Sequence, residues 1–316
     1  MKLNDFGQTS MRVSELGLGC ARIGGIFKND PKQFVELLAM AKDRGINFFD
    51  TADMYSQGES EALIGKAFGK RRRHEVIIAS KVGYCLPARR QWIARIKPFV
   101  RPLVRLLKLK REQLPGAVKG EISQNFSPGY IHGAVEASLR RLRTDHLDLL
   151  QLHSPPASVV AAAGWLDALE QLKRAGKIRF YGVSCDTQEA AEAALGFGSV
   201  SSLQLPISLL SPDFAHTTLP RARERRVAVI ARECLANGLL VKPEHEVDER
   251  FADLSEAAAA ERRQRLRSLR QTAQARSIPL SRLALEYVTQ LEGVSVSLIG
   301  ASRPEQLRGT LQELGV

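Results

Sequence analysis

Along this chain a short apolar run repeatedly ends in a turn and gives way to helical periodicity. The runs are SELGLGC, INFFD, EVIIASK, LDLLQLH, IRFYGVS, VSSLQL, VAVIA and VSLIG, eight in all. Helical patterns follow at about 31–44, 59–69, 128–142, 159–175, 187–196, 212–224, 257–275 with 280–291, and 303–313. Short, nearly continuous apolar strands are covered on both faces, which is the habit of parallel sheets. Eight strand–helix units of this kind close into a (β/α)8 TIM barrel of the α/β class; an open doubly wound sheet is the alternative. A short hairpin is expected within residues 2–13. The 316 residues, 44% of them hydrophobic, suffice for one barrel domain over 1–316, although length alone also allows two domains.

The rhythm breaks after the third strand. Residues 84–127 exceed what a simple connection needs, so this insertion is expected to carry structure or function of its own. Between Cys85 and Ser127 ten Lys/Arg stand against Glu112 and Glu121, which puts eight of the net +12 charges in one segment. The body is then nearly balanced, and no nucleic-acid module is recognisable, so a nucleic-acid partner is not expected. On a helical wheel of 92–108 the apolar residues Trp92, Ile96, Phe99 and Leu103 oppose Lys97, Arg101, Arg105 and Lys108. Pro98 and Pro102 must break this amphipathic pattern into two pieces. The apolar face is expected to form a substrate lid over the barrel mouth. Contact of 90–111 with an anionic membrane surface or an acidic partner is the alternative. A second irregular stretch is expected at 232–256, and AAAA at 257–260 begins a helix.

MKLNDFGQTS has no apolar leader segment, and no apolar run approaches the roughly 20 residues that span a bilayer. Cys20, Cys85, Cys185 and Cys234 stand far apart without a CxxC pair. A cytoplasmic location with reduced thiols is therefore expected, and neither a disulfide frame nor a metal site.

Barrels of this kind place their chemistry at the carboxyl ends of the strands. Those ends carry Asp50, Tyr55 just beyond it, Lys81, His153, Ser184, Gln204, Arg232 and Ser302. A phenol with an ordinary pKa near ~10 exchanges protons poorly at neutral pH. An ammonium from Lys81 beside Tyr55 is expected to lower that pKa, and Asp50 to hold the ammonium through a charge-assisted hydrogen bond. His153 can donate to a substrate oxygen and turn it toward the phenol. Spacing alone suggests only a proton-transfer site.

The stretches GINFFDTADMYSQGESEALIGKA, VIIASKVG, SLRRLRTDHLDLLQLHSPP, GKIRFYGVS and IGASRPEQL resemble those of the aldo-keto reductases, and the likeness runs over essentially the whole chain. The resemblance implies a catalytic tetrad of Asp50, Tyr55, Lys81 and His153. It implies an NADPH-dependent oxidoreductase that reduces an aldehyde or ketone to an alcohol, or the reverse, with Tyr55 as general acid/base and a small-molecule carbonyl as partner. A cofactor-binding, redox-sensing regulatory subunit with slow turnover is the other function such a fold serves. The implied cofactor contacts are Gly19, Asp50, Ser184, Gln204, Arg232, Leu235, Gly238, Gly300, Ser302, Arg303 and Gln306, with Arg303 and Gln306 on the 2′-phosphate of NADP. The resemblance also implies that a long C-terminal loop, common among relatives, is missing after the last helix.

The sequence departs from the family pattern in places. GLGCARIGG at 17–25 fails the spacing of a dinucleotide glycine loop and reads as a turn at the first strand end. Ser184-Cys185 stands where the family often has Ser-Asn for the nicotinamide amide. Arg232 aligns with a stacking aromatic, and Gly309-Thr310 with an adenine-binding Glu-Asn pair.

Overall fold

A computed structural model describes residues 1–24, 30–85, 123–243 and 255–316. Its strands are β1 (Leu3–Asp5), β2 (Arg12–Ser14), β3 (Leu16–Gly19), β4 (Phe48–Asp50), β5 (Ile77–Val82), β6 (Tyr84–Cys85), β7 (Ser123–Gln124), β8 (Leu147–His153), β9 (Ile178–Ser184), β10 (Ser202–Pro206), β11 (Ala228–Arg232) and β12 (Val294–Gly300). The main helices are α1 (Pro31–Asp43), α2 (Glu59–Ala67), α3 (Pro128–Leu142), α4 (Ala157–Ala162), α5 (Leu166–Arg174), α6 (Gln188–Leu195), α7 (Thr218–Glu224), α8 (Glu256–Ala275), α9 (Leu280–Gln290) and α10 (Pro304–Glu313). Strands β3, β4, β5, β8, β9, β10, β11 and β12 form a closed barrel in which every pair is parallel.

Three of these helices begin where a side chain satisfies one of the first free N–H groups. Asp30 accepts from Lys32 N ahead of α1, Thr187 from Ala190 N at α6, and Ser255 from Ala258 N at α8. Pro31, Pro128 and Pro304 occupy the first turn, where a missing N–H costs nothing.

Neighbouring residues of one strand fall into different apolar clusters. Phe49, Ile78 and Leu150 join the layer between sheet and helices, whereas Phe48, Ala79 and Leu149 join Ile230, Val296 and Leu298 inside the barrel. That alternation is the two-residue period of a strand buried on both faces. Phe6, Met11 and Val13 of the antiparallel β1–β2 hairpin belong to the interior cluster and pack with the barrel plug. Two residues further along the interior face, Phe48, Ala79 and Leu149 are succeeded by Asp50, Lys81 and Gln151, so a polar layer lies above an apolar plug.

The insertion leaves from β6 and returns through β7, which pair antiparallel. The lid, the amphipathic face of 92–108 and the surface contact of 90–111 lie outside the described residues. The single helix expected at 159–175 is two, α4 and α5. Ala163 between them adopts a left-handed φ of 56°, and Trp165 packs fully buried at the join.

Candidate functional site

The polar layer is built around one buried ion pair. Lys81, on β5, and Asp50, at the end of β4, are 1% and 3% exposed, and Lys81 Nζ donates to Asp50 Oδ2 at 2.6 Å. The ammonium also donates to Thr51 O at 3.0 Å and reaches Tyr55 Oη at 3.4 Å. Three acceptors use all three ammonium hydrogens, so Tyr55 receives one and keeps its own proton free to donate. The other carboxylate oxygen, Asp50 Oδ1, accepts from Gln204 Nε2 at 2.8 Å and Gln151 Nε2 at 3.3 Å. Ser184 Oγ in turn donates to Gln204 Oε1 at 3.2 Å.

Tyr55 leads a turn in which Ser56, Gln57 and Gly58 all take left-handed φ values of 51°, 61° and 82°. A Cβ on Gly58 would meet Arg141 Cδ at 2.7 Å, so a side chain there has neither backbone freedom nor room. Arg141 is anchored by Glu61, which is fully buried and also accepts from Ser80 Oγ at 2.6 Å. Ser56 Oγ closes the turn by donating to Ile23 O at 2.8 Å.

His153 ends β8 with its ring edge-on to Tyr55 at 5.7 Å and to Tyr84 at 4.7 Å between centroids. Its carbonyl and that of Ser154 accept from Gln124 Nε2 at 3.1 and 2.9 Å, which ties β8 to the base of the insertion. His153 Nδ1 is sealed from solvent and has no partner among the described residues. Burial, helped by the Lys81 and Arg232 charges, holds the imidazole pKa well below its usual value, so the ring is neutral at physiological pH. A buried unpaired acceptor is less costly than an unpaired donor. The proton therefore belongs on Nε2, the only ring nitrogen left to face the groove that His153 lines.

The pKa of Tyr55 corrects the expectation drawn from Lys81. Burial raises it above the ordinary tyrosine value. The Lys81 charge and hydrogen bond pull it down, as expected, but desolvation together with Asp50 outweighs them. Burial likewise pulls the Lys81 pKa down, yet Asp50 and Tyr55 more than reverse this and the net shift is upward.

A groove of about 980 Å³ opens over this layer at the carboxyl ends of the strands. Near the phenol it is lined by Gly19, Asp50, Tyr55, His153, Ser184, Gln204 and Arg232, and further out by Leu235, Gly238, Gly300, Ser302 and Gln306. Lys81 lies beneath the surface, behind Tyr55. Arg303 is exposed at the N-cap of α10, outside the lining residues. Ser302 N and Oγ both donate to Gln306 Oε1 at 2.9 Å. Arg232 pairs with Asp186 and Glu233 and donates to Cys185 O at 3.3 Å, while its Nε is buried with no partner among the described residues. The Cys185 thiol is not among the residues that line the groove. It is fully buried in the layer between sheet and helices, turned toward Val183 O.

A dinucleotide fits this groove. Gly238, Gly300 and Gly309 line it, and a Cβ added at any of them meets nothing within 4 Å, so the backbone lies open to a bound molecule. The sequence reading missed Gln151, Gln124 and Tyr84. For Gln151 a signal was there: it is a polar residue two before His153, on the same strand face, between apolar neighbours.

The sequence model of the aldo/keto reductase family matches residues 15–315. An uncharacterized oxidoreductase of Bacillus subtilis (strain 168), YqkF, is 28% identical over 99% of this chain and 90% of its own. The NADH-specific methylglyoxal reductase of Escherichia coli (strain K12) is 30% identical over 76% of this chain and 69% of its own. The holo form of the aldo-keto reductase AKR11C1 from Bacillus halodurans superposes with a TM-score of 0.75 at 29% identity, covering 100% of this chain and 91% of that one. With a closed eight-stranded parallel barrel and a family match over nearly its full length, the chain belongs to the aldo/keto reductase family of oxidoreductases.

Proposed function

We propose that the protein reduces an aldehyde or ketone to an alcohol with NADPH, or catalyses the reverse, with Tyr55 as the general acid/base. The observation that carries this reading is the Lys81 ammonium, held by Asp50 at 2.6 Å and pointed at Tyr55 Oη at 3.4 Å on the floor of the groove. A phenol that keeps its proton through neutral pH and accepts from an ammonium is prepared to give that proton to a developing alkoxide. Neutral His153, through Nε2–H, donates to the same oxygen and orients the carbonyl against the phenol. The burial of Asp50 and Lys81 beneath the half-buried Tyr55 strengthens the ion pair and its reach to the phenol by keeping water away from them.

The bound dinucleotide supplies the hydride that the carbonyl carbon accepts. On this reading Gly19, Asp50, Ser184, Gln204 and Arg232 hold its nicotinamide end. Leu235, Gly238 and Gly300 hold its middle, and Ser302, Arg303 and Gln306 its phosphates. The first free N–H groups of α10 and the exposed Arg303 suit an anion, which supports NADP over NAD. One relative is named for NADH, so the two cofactors belong in the same test. The substrate is a small carbonyl compound and the location the cytoplasm. All four cysteines are free thiols, and among the described residues no helix is long and apolar enough to cross a membrane.

Steady-state turnover of a panel of aldehydes and ketones with NADPH and with NADH tests the reading. Turnover that is faster with NADPH and falls by about 10²–10⁴-fold on Tyr55→Phe is expected. Tight NADPH binding without turnover of any carbonyl would overturn it in favour of a cofactor-sensing subunit.

A further inference from the structure

Gln151 is fully buried in the middle of β8. On the interior face of that strand it lies between Leu149, part of the apolar plug, and His153, which lines the groove. In register it pairs with Lys81 on one side and Gly182 on the other. Its Nε2 donates to Asp50 Oδ1 at 3.3 Å. Its Oε1 is sealed from solvent and accepts from nothing among the described residues.

Packing does not account for an amide at this place. A buried polar atom left unpaired is destabilising, and a leucine of similar volume would extend the plug without that cost. A residue that breaks a local rule without a compensating gain in stability points to function. The gain here is in Asp50. Lys81 holds one carboxylate oxygen, and a carboxylate held at one oxygen can still rotate about its own axis. Gln204 from β10 and Gln151 from β8 converge on the other oxygen and stop that rotation. With the carboxylate fixed, the ammonium is fixed, and its remaining hydrogen points at Tyr55 Oη.

We infer that Gln151 is a positioning residue for proton transfer, setting the orientation of Asp50 and, through Lys81, the ionisation of Tyr55. The inference rests on the reading of Tyr55 as the proton donor. Gln151 itself touches neither Tyr55 nor the groove.

Two substitutions test it, Gln151→Leu and Gln151→Glu. Three quantities are read: Tm, kcat and KM against pH with NADPH and an aldehyde, and the ionisation of Tyr55. The last is followed by the ultraviolet difference spectrum against Tyr55→Phe. In Gln151→Leu the Tm is expected to stay level or rise, because the unpaired oxygen is gone. The kcat should fall about tenfold with KM nearly unchanged, the loss of one hydrogen bond to a charged group. The Tyr55 midpoint should move by about half a pH unit. In Gln151→Glu a protonated side chain can donate to Asp50 as the amide did. Its kcat should therefore approach the unmodified value at low pH and fall as the second carboxylate ionises beside the first.

A Gln151→Leu protein that keeps both its kcat and its Tyr55 midpoint makes Gln151 a packing residue and overturns the inference. Should that variant fail to fold, a Gln151→Glu profile parallel to the unmodified one overturns it equally. Absence of turnover in the unmodified protein would count against the proposed function, while the Tyr55 titration, which needs no substrate, still decides the role of Gln151.

Discussion

Tyr55 receives a hydrogen bond from a buried ammonium whose three hydrogens are all engaged, so the phenol's own proton is the one it can release. Tyr55→Phe keeps the ring and its edge contact with His153 but has no proton to give. Its kcat for reduction is expected to fall by about 10²–10⁴-fold with cofactor Kd nearly unchanged, measured by steady-state kinetics beside a fluorescence titration. A second carboxyl at this scale sits behind the turn. Asp53 Oδ1 is buried with no partner among the described residues, and burial together with neighbouring Glu61 raises the Asp53 pKa to about 7, against the pull of Arg141 and Lys81. The folded chain thus holds this proton more tightly than the unfolded one. The stability that the proton confers is complete below the unfolded value and is lost as pH rises from about 4 through about 7. Asp53→Asn imitates the protonated form. Its Tm should match that of the unmodified protein near pH 4 and exceed it near pH 8 by about 2–4 °C, as thermal melts at the two pH values would show.

At the scale of elements, the two ends of the barrel are held differently. At the amino ends Asp148 of β8 ties three strands together. It accepts from Arg73 just before β5, from Ile78 N within β5 at 2.9 Å, and from Arg179 of β9 at 2.9 Å. Arg73 and Asp148 are both buried, so removing one leaves an uncompensated charge. Asp148→Ala should lower unfolding stability by about 3–5 kcal/mol in a denaturant titration. The cofactor Kd of the folded fraction should not change, because the groove lies at the other end. The strand–helix alternation was legible because periodicity is local: an amphipathic helix such as α5 declares its buried face through spacing alone. The break between α4 and α5 was not legible, since it depends on Trp165 finding a buried place against Tyr181 and Phe197.

Across the whole molecule, closure of the barrel gathers residues more than a hundred positions apart around one carboxylate. Asp50 meets Lys81, Gln151 and Gln204 because β4, β5, β8 and β10 surround a single axis. The proposed preference for NADP is tested at the far end of the groove. Arg303 lies outside the lining yet beside Ser302 and Gln306, which belong to it. Arg303→Ala should weaken NADPH by about tenfold or more and NADH little, in paired Kd measurements. Equal affinity of the unmodified protein for both cofactors would remove the NADP preference.

Sequence by itself determined most of the elements and the residue types at their ends, since both are written in short-range spacing: eight apolar runs, each followed by helical periodicity, and an acid, a phenol, an ammonium and an imidazole at strand termini. It named Asp50, Tyr55, Lys81 and His153, and the fold brings those four together. Tertiary structure alone decided which hydrogen bonds the buried polar atoms make, and hence the place of Gln151 on Asp50 and the turning away of the Cys185 thiol. It also decided the direction of the Tyr55 shift. A charge pair can be read from two residues, but desolvation is a sum over everything that surrounds a group, and that sum exists only once the barrel has closed.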